Sequence, residues 1–475
     1  MMQVRLLFIC LLFTRILALE CDLGEVDIGW GNCNNIYGNS YSTEPVGCMA
    51  SGCFSIQETT TLDFSYISLG EFPSNIGELI NLDNIHISDC GLSGQIPEGI
   101  SNLQNLRWLS IYDNNHNLPD SLNIQINSNL SGQIPIEIGE LENLEYIRLD
   151  NNNLEGSIPP ELANLQNLTR LSLSGNQLTG EIPLELMSNS NLVAILFDNN
   201  QLTGQIPSEI GNLENLDILN LNYNLLDGDI PSEIGNLDSL LLLSLSNNEL
   251  TGEIPLSIGN LSRTYYLDLS GNNLIGQISA NLENLPLVYL YLDHNQLSGE
   301  IPQSIGNIDG MVYLFLDNNQ LTGDIPLEME ALDLVYLTLN DNQLSGSIPY
   351  DFCDIYSINL SNNSFCPSYP ECLSNQEQFI DLNNNDIWDE GEEYIDSNGN
   401  LVYDENYIGY QDISECDDCI TGDVNSDLTL NILDIITIVN CILYEDCNDC
   451  SDINGDGIVN ILDAIYAVNL ILSQF

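Results

Sequence analysis

The sequence predicts a solenoid of stacked coils, followed by a small α-helical module. The solenoid should carry short parallel β-strands on its concave face and irregular or 3-10 segments on its convex side. Two observations predict the solenoid. The phrase Leu144-Glu-Tyr-Ile-Arg-Leu-Asp-Asn-Asn152 recurs, with changes, at a nearly constant spacing over most of the chain, as in repeats of about 24 residues. Apolar residues alternate within each copy, as along a half-buried strand, and coils of this kind bury their apolar sides only by stacking.

Each position in the phrase has a predicted direction. Ile147 and Leu149 point inward from a short strand, whereas the residues between and beside them point outward. An Asn after the strand must be buried, so its amide is expected to bond the backbone of neighbouring coils. This place is held by Asn114, Asn152, Asn176, Asn200, Asn224, Asn248, Asn272, Asn295, Asn319, Asn342 and Asn363, and by Cys90 in an early copy.

The phrase continues through a turn glycine, such as Gly156, to an Ile-Pro step such as Ile158-Pro159. The glycine allows a tight reversal, and the proline removes a donor where the chain is extended. With the Asn, these residues resemble the plant-type leucine-rich repeat, L-x-x-L-x-L-x-x-N-x-L-x-G-x-I-P-x-x-I/L-G-x-L-x-N, over about Thr60 to Leu373. The resemblance implies a leucine-rich repeat solenoid at 60–352.

The start of the chain predicts export. Arg5 and the apolar run from Leu6 to Phe13 are typical of a secretory signal peptide, here residues 1–19. Lipid anchoring at Cys21 is the alternative, although Glu20 fits that cleavage box poorly. Later apolar runs are interrupted by polar residues, so we expect no membrane insertion. The protein should be secreted or extracellular, with attachment to a cell surface left open.

The cysteines lie mostly beyond the ends of the array. Four precede it and three follow it, which predicts a disulfide-bonded N-terminal cap at 20–59 and a C-terminal cap at 353–373. They are Cys21, Cys33, Cys48 and Cys53, then Cys353, Cys366 and Cys372. Of the 14 cysteines only Cys10 lies in the signal, so an odd number remains, and Cys90 is the candidate for the unpaired thiol.

The charge is strongly negative: 70 acidic residues, six Arg and no Lys give a net charge of −64. A protein with so few cations cannot neutralise phosphates, which argues against nucleic acid or an anionic membrane as a partner. This excess of acidic residues suits a medium of high salt, the binding of divalent cations, or both. The alternative is that it serves only general solubility.

Outward positions of the strands are where we expect a ligand. Tyr266, Tyr289, Tyr313 and Tyr336 should form one aromatic row, since neighbouring strands lie roughly 4.8 Å apart. The predicted concave-face residues are Trp108, Tyr146, Tyr266, Tyr289, Tyr291, Asp293, Tyr313, Phe315, Asp317 and Tyr336. These residues suit stacking on sugars or anchoring a protein. The alternative is that aromatic residues stand there only because they favour strands.

The insertion between Asn114 and Leu130 should form a loop that either contacts a ligand or is merely tolerated.

Catalysis is not predicted. Asp293 and Asp317 would lie near the roughly 5 Å separation of a retaining glycosidase pair, but no cleft is indicated that would raise one pKa. His86, His116 and His294 are scattered, and no phosphate loop or nucleophile elbow occurs.

The acidic segment at 374–415 contains two related stretches, 381–390 and 396–405, in which Asn383 and Asn385 align with Asn398 and Asn400. Oxygen side chains at alternate positions of a tight loop are what calcium needs. The first stretch predicts ligands at Asp381, Asn383, Asn385, Asp389 and Glu392, and one or two calcium ions are expected within 381–407. A disordered acidic linker is the alternative.

A duplicated loop and helix end the chain, within a predicted domain at 416–475. Each loop carries oxygens at places 1, 3, 5, 9 and 12, with a backbone carbonyl at place 7. The predicted ligands are Asp423, Asn425, Asp427, Thr429, Asn431 and Asp434, then Asp452, Asn454, Asp456, Ile458, Asn460 and Asp463. The pattern is similar to a type I dockerin over about Gly422 to Leu472, which implies two calcium ions and a cohesin partner.

The partner is left open, because the dockerin recognition places carry Ile432, Leu433, Ile461 and Leu462 where small hydroxyl residues are usual. A cohesin-like protein, another surface scaffold or an intramolecular contact would suit these apolar residues. Cys416-x-x-Cys419 and Cys447-x-x-Cys450 suit disulfides in an exported chain, with zinc as the alternative.

These features predict a secreted, non-catalytic recognition or adhesion protein. It would bind a glycan or a protein on the concave face and attach through its calcium-dependent tail. The alternatives are an accessory component of extracellular polysaccharide degradation in a cellulosome-like assembly and, third, a glycoside hydrolase.

Overall fold

The computed structural model describes residues 25–27, 53–66, 69–114, 130–366, 369–370, 373, 408, 410–411, 435–439, 442, 461 and 464–468. The chain divides into two compact units. The first runs to Leu274 and includes Asn284–Leu287; the second comprises Ile275–Glu283 and the chain from Val288 onward. The predicted signal peptide, the cysteines Cys21, Cys33, Cys48 and Cys372, and the insertion at 115–129 lie outside the described residues.

The first unit is built on a parallel main sheet whose strands follow one another in chain order. Residues one repeat apart pair directly: Ile195 lies between Leu171 and Leu219. The strands are Thr61–Ser65, Asn84–Ser88, Trp108–Tyr112, Tyr146–Arg148, Arg170–Ser172, Ala194–Leu196, Ile218–Asn220, Leu242–Ser244 and Tyr266–Asp268. An antiparallel pair, Glu25–Asp27 with Cys53–Ser55, precedes them in the chain. The predicted parallel solenoid is therefore present.

The second unit repeats this arrangement in four strands of a parallel main sheet. They are Tyr289–Tyr291, Tyr313–Phe315, Tyr336–Thr338 and Ser357–Asn359. The central residue of each, such as Leu314, is buried, and the residues on either side are partly or fully exposed. Inward and outward positions thus alternate as the sequence predicts.

Each unit also has a second parallel sheet, which the sequence analysis did not predict. It forms just after the buried Asn, where one Leu alternates with polar residues. Its strands in the first unit are Ser131–Gly132, Asn153–Gly156, Gln177–Gly180, Gln201–Gln205 and Leu225–Asp227, and in the second unit Ile275–Gly276, Gln296–Glu300, Gln320–Asp324 and Gln343–Ser345.

The predicted 3-10 segments are present, and most begin directly after the proline of the Ile-Pro step. Pro207, for example, has an extended backbone and precedes the helix Ser208–Asn212. The 3-10 helices are Ile76–Glu78, Glu98–Asn102, Ile136–Glu140, Pro160–Asn164, Leu184–Ser188, Ser208–Asn212, Ser232–Asn236, Leu256–Asn260, Ala280–Asn284, Gln303–Asn307, Leu327–Ala331 and Tyr350–Asp354.

The turn glycine is required by both conformation and space. Gly204 has a φ of +76°, and a Cβ placed there would lie 2.9 Å from Cγ of Glu181 in the preceding coil. At Gly252 a Cβ would lie 2.4 Å from Oδ1 of Asp229. Any larger residue would therefore have a strained backbone, and the Glu181 or Asp229 side chain of the preceding coil would have to move.

The buried Asn residues form the predicted ladder. Asn248 donates its amide hydrogens to the carbonyls of Leu221, Leu245 and Ser246 at 3.0–3.1 Å and accepts from the Leu226 amide at 3.0 Å. Each rung thus bonds its own coil and the preceding one, which leaves these buried backbone groups paired.

Cys90 takes the same place with a thiol. It is buried, its Sγ–H donates to the Ser88 carbonyl at 3.1 Å, and the Oδ1 of Asn114 accepts from the Cys90 and Leu92 amides at 3.2 Å each. Asn152 differs, because its buried Oδ1 has no partner within the described residues.

Gln411 provides a further rung beyond Asn363. Its Nε2 donates to the carbonyls of Leu360 and Ile408 at 2.9 and 2.6 Å, and its Oε1 accepts from the Phe365 amide at 3.0 Å. These are the bonds that Asn363 makes one coil earlier. Although the sequence assigns Gln411 to the acidic segment, it therefore packs on the end of the solenoid.

The tail contains helical residues at 435–439, 442, 461 and 464–468, within the two predicted helices. Ile438, Ala464 and Ala467 are buried together, with Ile435, Val439 and Ile442 packed against them. Among the described residues, no helix combines the length and apolar character that crossing a membrane requires. Cys353 and Cys366 at the end of the array are disulfide-bonded.

Candidate functional site

The main sheet of the second unit carries a stack of tyrosine rings. Tyr289 pairs with Tyr313, and Tyr313 with Tyr336, in adjacent strands. Their ring centroids lie 4.7 and 4.9 Å apart, with interplanar angles of 18° and 9°. In-register parallel strands place identical side chains one above another, which is why the sequence folds into this stack.

A second aromatic pair lies beside the stack. Tyr291 and Phe315 are opposite each other, with centroids 4.9 Å apart, and the Tyr289 and Tyr291 rings lie 6.5 Å apart. We call Tyr289, Tyr291, Tyr313, Phe315 and Tyr336 the aromatic patch. These five residues were all predicted from the sequence, and the structure brings them together on one side of one sheet.

The stack determines which parts of the rings a ligand can contact. Both faces of Tyr313 are covered, by Tyr289 on one side and Tyr336 on the other. The parts of Tyr313 left for a ligand are therefore its ring edge and its phenolic hydroxyl. Such a surface offers hydrogen bonds and edge contacts, whereas sugar stacking needs an open ring face.

Two carboxylates and an imidazole lie at the end of the aromatic patch. His294 Nδ1 is 2.9 Å from Asp293 Oδ2 and 3.7 Å from Asp317 Oδ2. The Asp293 and Asp317 side chains are only 18% and 13% exposed, whereas that of His294 is 60% exposed. Burial raises the pKa of Asp293, and the nearby Asp317 raises it further, against the hydrogen bond from His294.

The other predicted concave-face residues lie in the first unit. Tyr266 is the first residue of its strand and pairs with Leu242 in the neighbouring strand. Trp108 stacks on Tyr146 with centroids 5.3 Å apart and an interplanar angle of 22°. Their unusually long separation in sequence hides this contact, although the two strands pair directly.

Arg148 adds a cation beside this second aromatic pair. Its guanidinium lies 3.5 Å above the Tyr112 ring, and its Nε donates to Asp150 at 2.7 Å. Asp150 also accepts from the Ser172 hydroxyl at 2.6 Å. This carboxylate therefore joins neighbouring coils, and the first-unit cluster is largely self-paired.

Three contributors to the second-unit site do not follow from the sequence pattern. Tyr356 lies one residue before its strand and packs against Tyr336 at 5.9 Å, which extends the aromatic surface. His294 was set aside as scattered, yet it lies between two carboxylates. Thr338 donates to Asp317 from the next coil. Only the register of neighbouring coils reveals these contacts.

The predicted calcium ligands at 381–392, 423–434 and 452–463 all lie outside the described residues. Of the predicted docking residues, Ile432, Leu433 and Leu462 also lie outside them. Ile461 is described and is exposed, as are Ile436, Ile465 and Tyr466.

Comparisons with known proteins identify the repeated unit as a leucine-rich repeat. Nine stretches match the Leucine Rich Repeat family: residues 81–103, 143–165, 167–189, 191–213, 215–237, 239–261, 264–285, 286–308 and 333–355. The search of curated protein sequences returned no match.

Solved structures similar to this chain include plant receptors. The peptide hormone receptor RGFR1 in complex with RGF2 is 30% identical over 66% of this chain and 57% of that one, with a TM-score of 0.53. The Arabidopsis receptor kinase HAESA, in complex with the peptide hormone IDA and the co-receptor SERK1, is 28% identical over 74% and 62%, also at 0.53. A TDR receptor is 28% identical over 67% and 66%, at 0.50. The chain thus spans between 57% and 66% of the length of these receptors.

Proposed function

Because the chain is a leucine-rich repeat protein of the plant type, we propose that it is a non-catalytic recognition protein that binds an extended peptide or protein segment. The binding surface is the aromatic patch on the main sheet of the second unit. The observation that carries this proposal is the stack of Tyr289, Tyr313 and Tyr336, which concentrates rigid, partly exposed aromatic side chains on one side of a sheet.

The stack favours a polypeptide over a glycan. Tyr is enriched among residues that dominate protein interfaces, because it buries a large rigid surface at a low entropic cost. The hydroxyls of the patch can bond backbone amides and carbonyls along an extended segment. A glycan would lose its main source of affinity, since the ring faces within the stack already cover one another.

The receptors support the same choice. RGFR1 and HAESA are described in complex with RGF2 and with the peptide hormone IDA. A repeat sheet with outward aromatic residues is suited to the same kind of ligand. The hypothesis of a glycoside hydrolase gains nothing from the Asp293 and Asp317 pair, since His294 and Thr338 already bond these carboxylates.

The test begins by selecting ligands for the full-length protein from a displayed random peptide library and, in parallel, on a glycan array. Selected ligands are then measured against Tyr313→Ala. Ala194 holds the equivalent place in another strand, so this substitution suits the fold. Loss of a central aromatic contact should weaken binding by about 2 kcal/mol, or roughly 30-fold.

Tyr350→Ala is the matched control, because Tyr350 is in the same unit and is exposed, but lies on a 3-10 helix. We expect it to leave the affinity unchanged. Equal affinities of the wild type and Tyr313→Ala for every selected peptide would contradict the proposal. Binding of glycans alone, with the same loss in Tyr313→Ala, would favour a glycan receptor instead.

We further propose that the protein is secreted and attached to a scaffold or surface by a calcium-dependent tail. The support is the repeated oxygen pattern in its two loops and the packing of Ile438 on Ala464 and Ala467. Exposed Ile461 and Tyr466 suit an apolar contact with a cohesin-like or other scaffold protein. Pull-down of purified cohesins by the full-length chain, in calcium and in chelator, tests this attachment; equal recovery in both would contradict it. An accessory role in polysaccharide degradation would additionally require hydrolases on the same scaffold.

A further inference from the structure

Asp293, His294 and Asp317 form a compact set of metal-ligating groups. One Nδ1 and two carboxylate oxygens all lie within 4.8 Å of one another. Metal bonds of roughly 2.0–2.2 Å hold adjacent ligand atoms about 3–3.5 Å apart. The distances of 2.9 and 3.7 Å from Nδ1 to the two carboxylates are close to that spacing.

The second unit supplies no Lys or Arg to balance the charge of this set. All six arginines have numbers of 263 or lower, and the chain has no lysine, so the second unit contains neither residue. Two carboxylates are nevertheless held together in a largely buried position. Proximity of two like charges is unfavourable unless a positive charge lies between them.

The residue type at this place also differs from that in other coils. His294 has a φ of +53°, in the place that Asn151, Asn199, Asn247 and Asn318 hold in other coils. Asn tolerates this left-handed conformation better than most residues, whereas His brings a nitrogen ligand. The ring is directed at both carboxylates and keeps its other side in solvent.

We infer that Asp293, His294 and Asp317 bind one divalent transition metal ion, such as zinc. An imidazole nitrogen with two carboxylate oxygens is a ligand set that zinc, cobalt and nickel accept, whereas calcium prefers oxygen ligands alone. Three protein ligands leave coordination positions open toward the solvent on the side of the aromatic patch. The site does not depend on the peptide ligand proposed above.

The test is a calorimetric titration of the full-length protein with zinc in saturating calcium, so that calcium sites in the tail are filled. The wild type should bind one zinc ion more than His294→Asn. This variant restores the residue of neighbouring coils, including Asn318 with the same φ of +53°, so it should keep its fold. Loss of a ligand should weaken the site at least as much as the 10–100-fold typical of an outer-shell partner, and we expect about 100-fold.

Two further variants separate the site from other zinc ligands, such as the cysteine pairs of the tail. Asp293→Asn should also lose the ion, and Asn222 and Asn340 show that the repeat accepts Asn there. His86→Asn removes a different histidine and should bind zinc like the wild type. Identical stoichiometry and affinity in the wild type and His294→Asn would overturn the inference.

Discussion

Replacing Asn248 with Ala tests whether the Asn ladder holds the coils together. The substitution removes one acceptor and the donors of three hydrogen bonds from a buried site. It leaves the buried Leu226 amide, from the preceding coil, without its acceptor, whereas the Leu221 carbonyl still accepts from Asn224 at 3.1 Å. One orphaned buried group costs about 1–3 kcal/mol and the lost donor bonds add to it, so we expect a loss of about 3 kcal/mol in the free energy of unfolding.

The assay is guanidinium unfolding of the full-length protein, followed by far-ultraviolet circular dichroism. Asn247→Gly is the control, because Asn247 has a φ of +53° and Gly175 and Gly271 hold its place elsewhere. This variant should unfold within about 0.5 kcal/mol of the wild type. In a repeat array, a weakened interface also separates neighbouring segments, so Asn248→Ala should broaden or split the transition.

The reasoning fails if Asn248→Ala and Asn247→Gly unfold at the same denaturant concentration. That result would mean that the apolar core alone sets the stacking and that the amide bonds are replaced by water at no cost. An intermediate variant, Asn248→Cys, is expected to cost less than Ala, because Cys90 shows that a thiol can donate to a coil carbonyl at this place.

Three further predictions follow from the fold. Gly323→Ala should lower the free energy of unfolding by about 1–2 kcal/mol, because φ is +77° and the new Cβ would lie 2.9 Å from Glu300. Gly310→Ala, with similar φ but no neighbour within 4 Å, measures the backbone strain alone; an equal loss in both would show that the Glu300 contact costs nothing. Gln411→Ala should speed hydrogen exchange at the Phe365 amide, whereas faster exchange in central coils as well would contradict a terminal role. Calcium chelation should reduce the far-ultraviolet helix signal of the tail, and an unchanged spectrum would argue against calcium-dependent folding.

The sequence predicted the solenoid because its signals are local and repeated. Alternation at Ile147 and Leu149 and one Asn per coil determine the strands, the core and the ladder. The second sheet was missed because its strands are short and contain at most one inward Leu, and because its hydrogen bonds come from neighbouring coils. Gln411 was missed as a rung for two reasons. It is farther from Asn363 in sequence than one repeat, and it is a Gln where the other rungs are Asn.

The candidate site was predicted only where the register is regular. Tyr289, Tyr313 and Tyr336 recur at the spacing of the repeat itself, so their alignment follows from counting along the chain. Trp108 and Tyr146 are separated by the insertion, and their stacking appears only once the strands are paired. The position of His294 beside Asp317 depends on a left-handed backbone that the sequence pattern does not specify. That the tyrosine faces cover one another is likewise a property of the side-chain conformations.

The most direct test of ligand binding is a chemical footprint of the tyrosines. The full-length protein is nitrated with and without a selected peptide, and modification of each tyrosine is measured by mass spectrometry. We predict that the peptide protects Tyr289, Tyr313 and Tyr336, while Tyr223 and Tyr350, which are exposed elsewhere, react equally in both samples. Equal nitration of the stack with and without peptide, or protection of Tyr350 alone, would contradict the account.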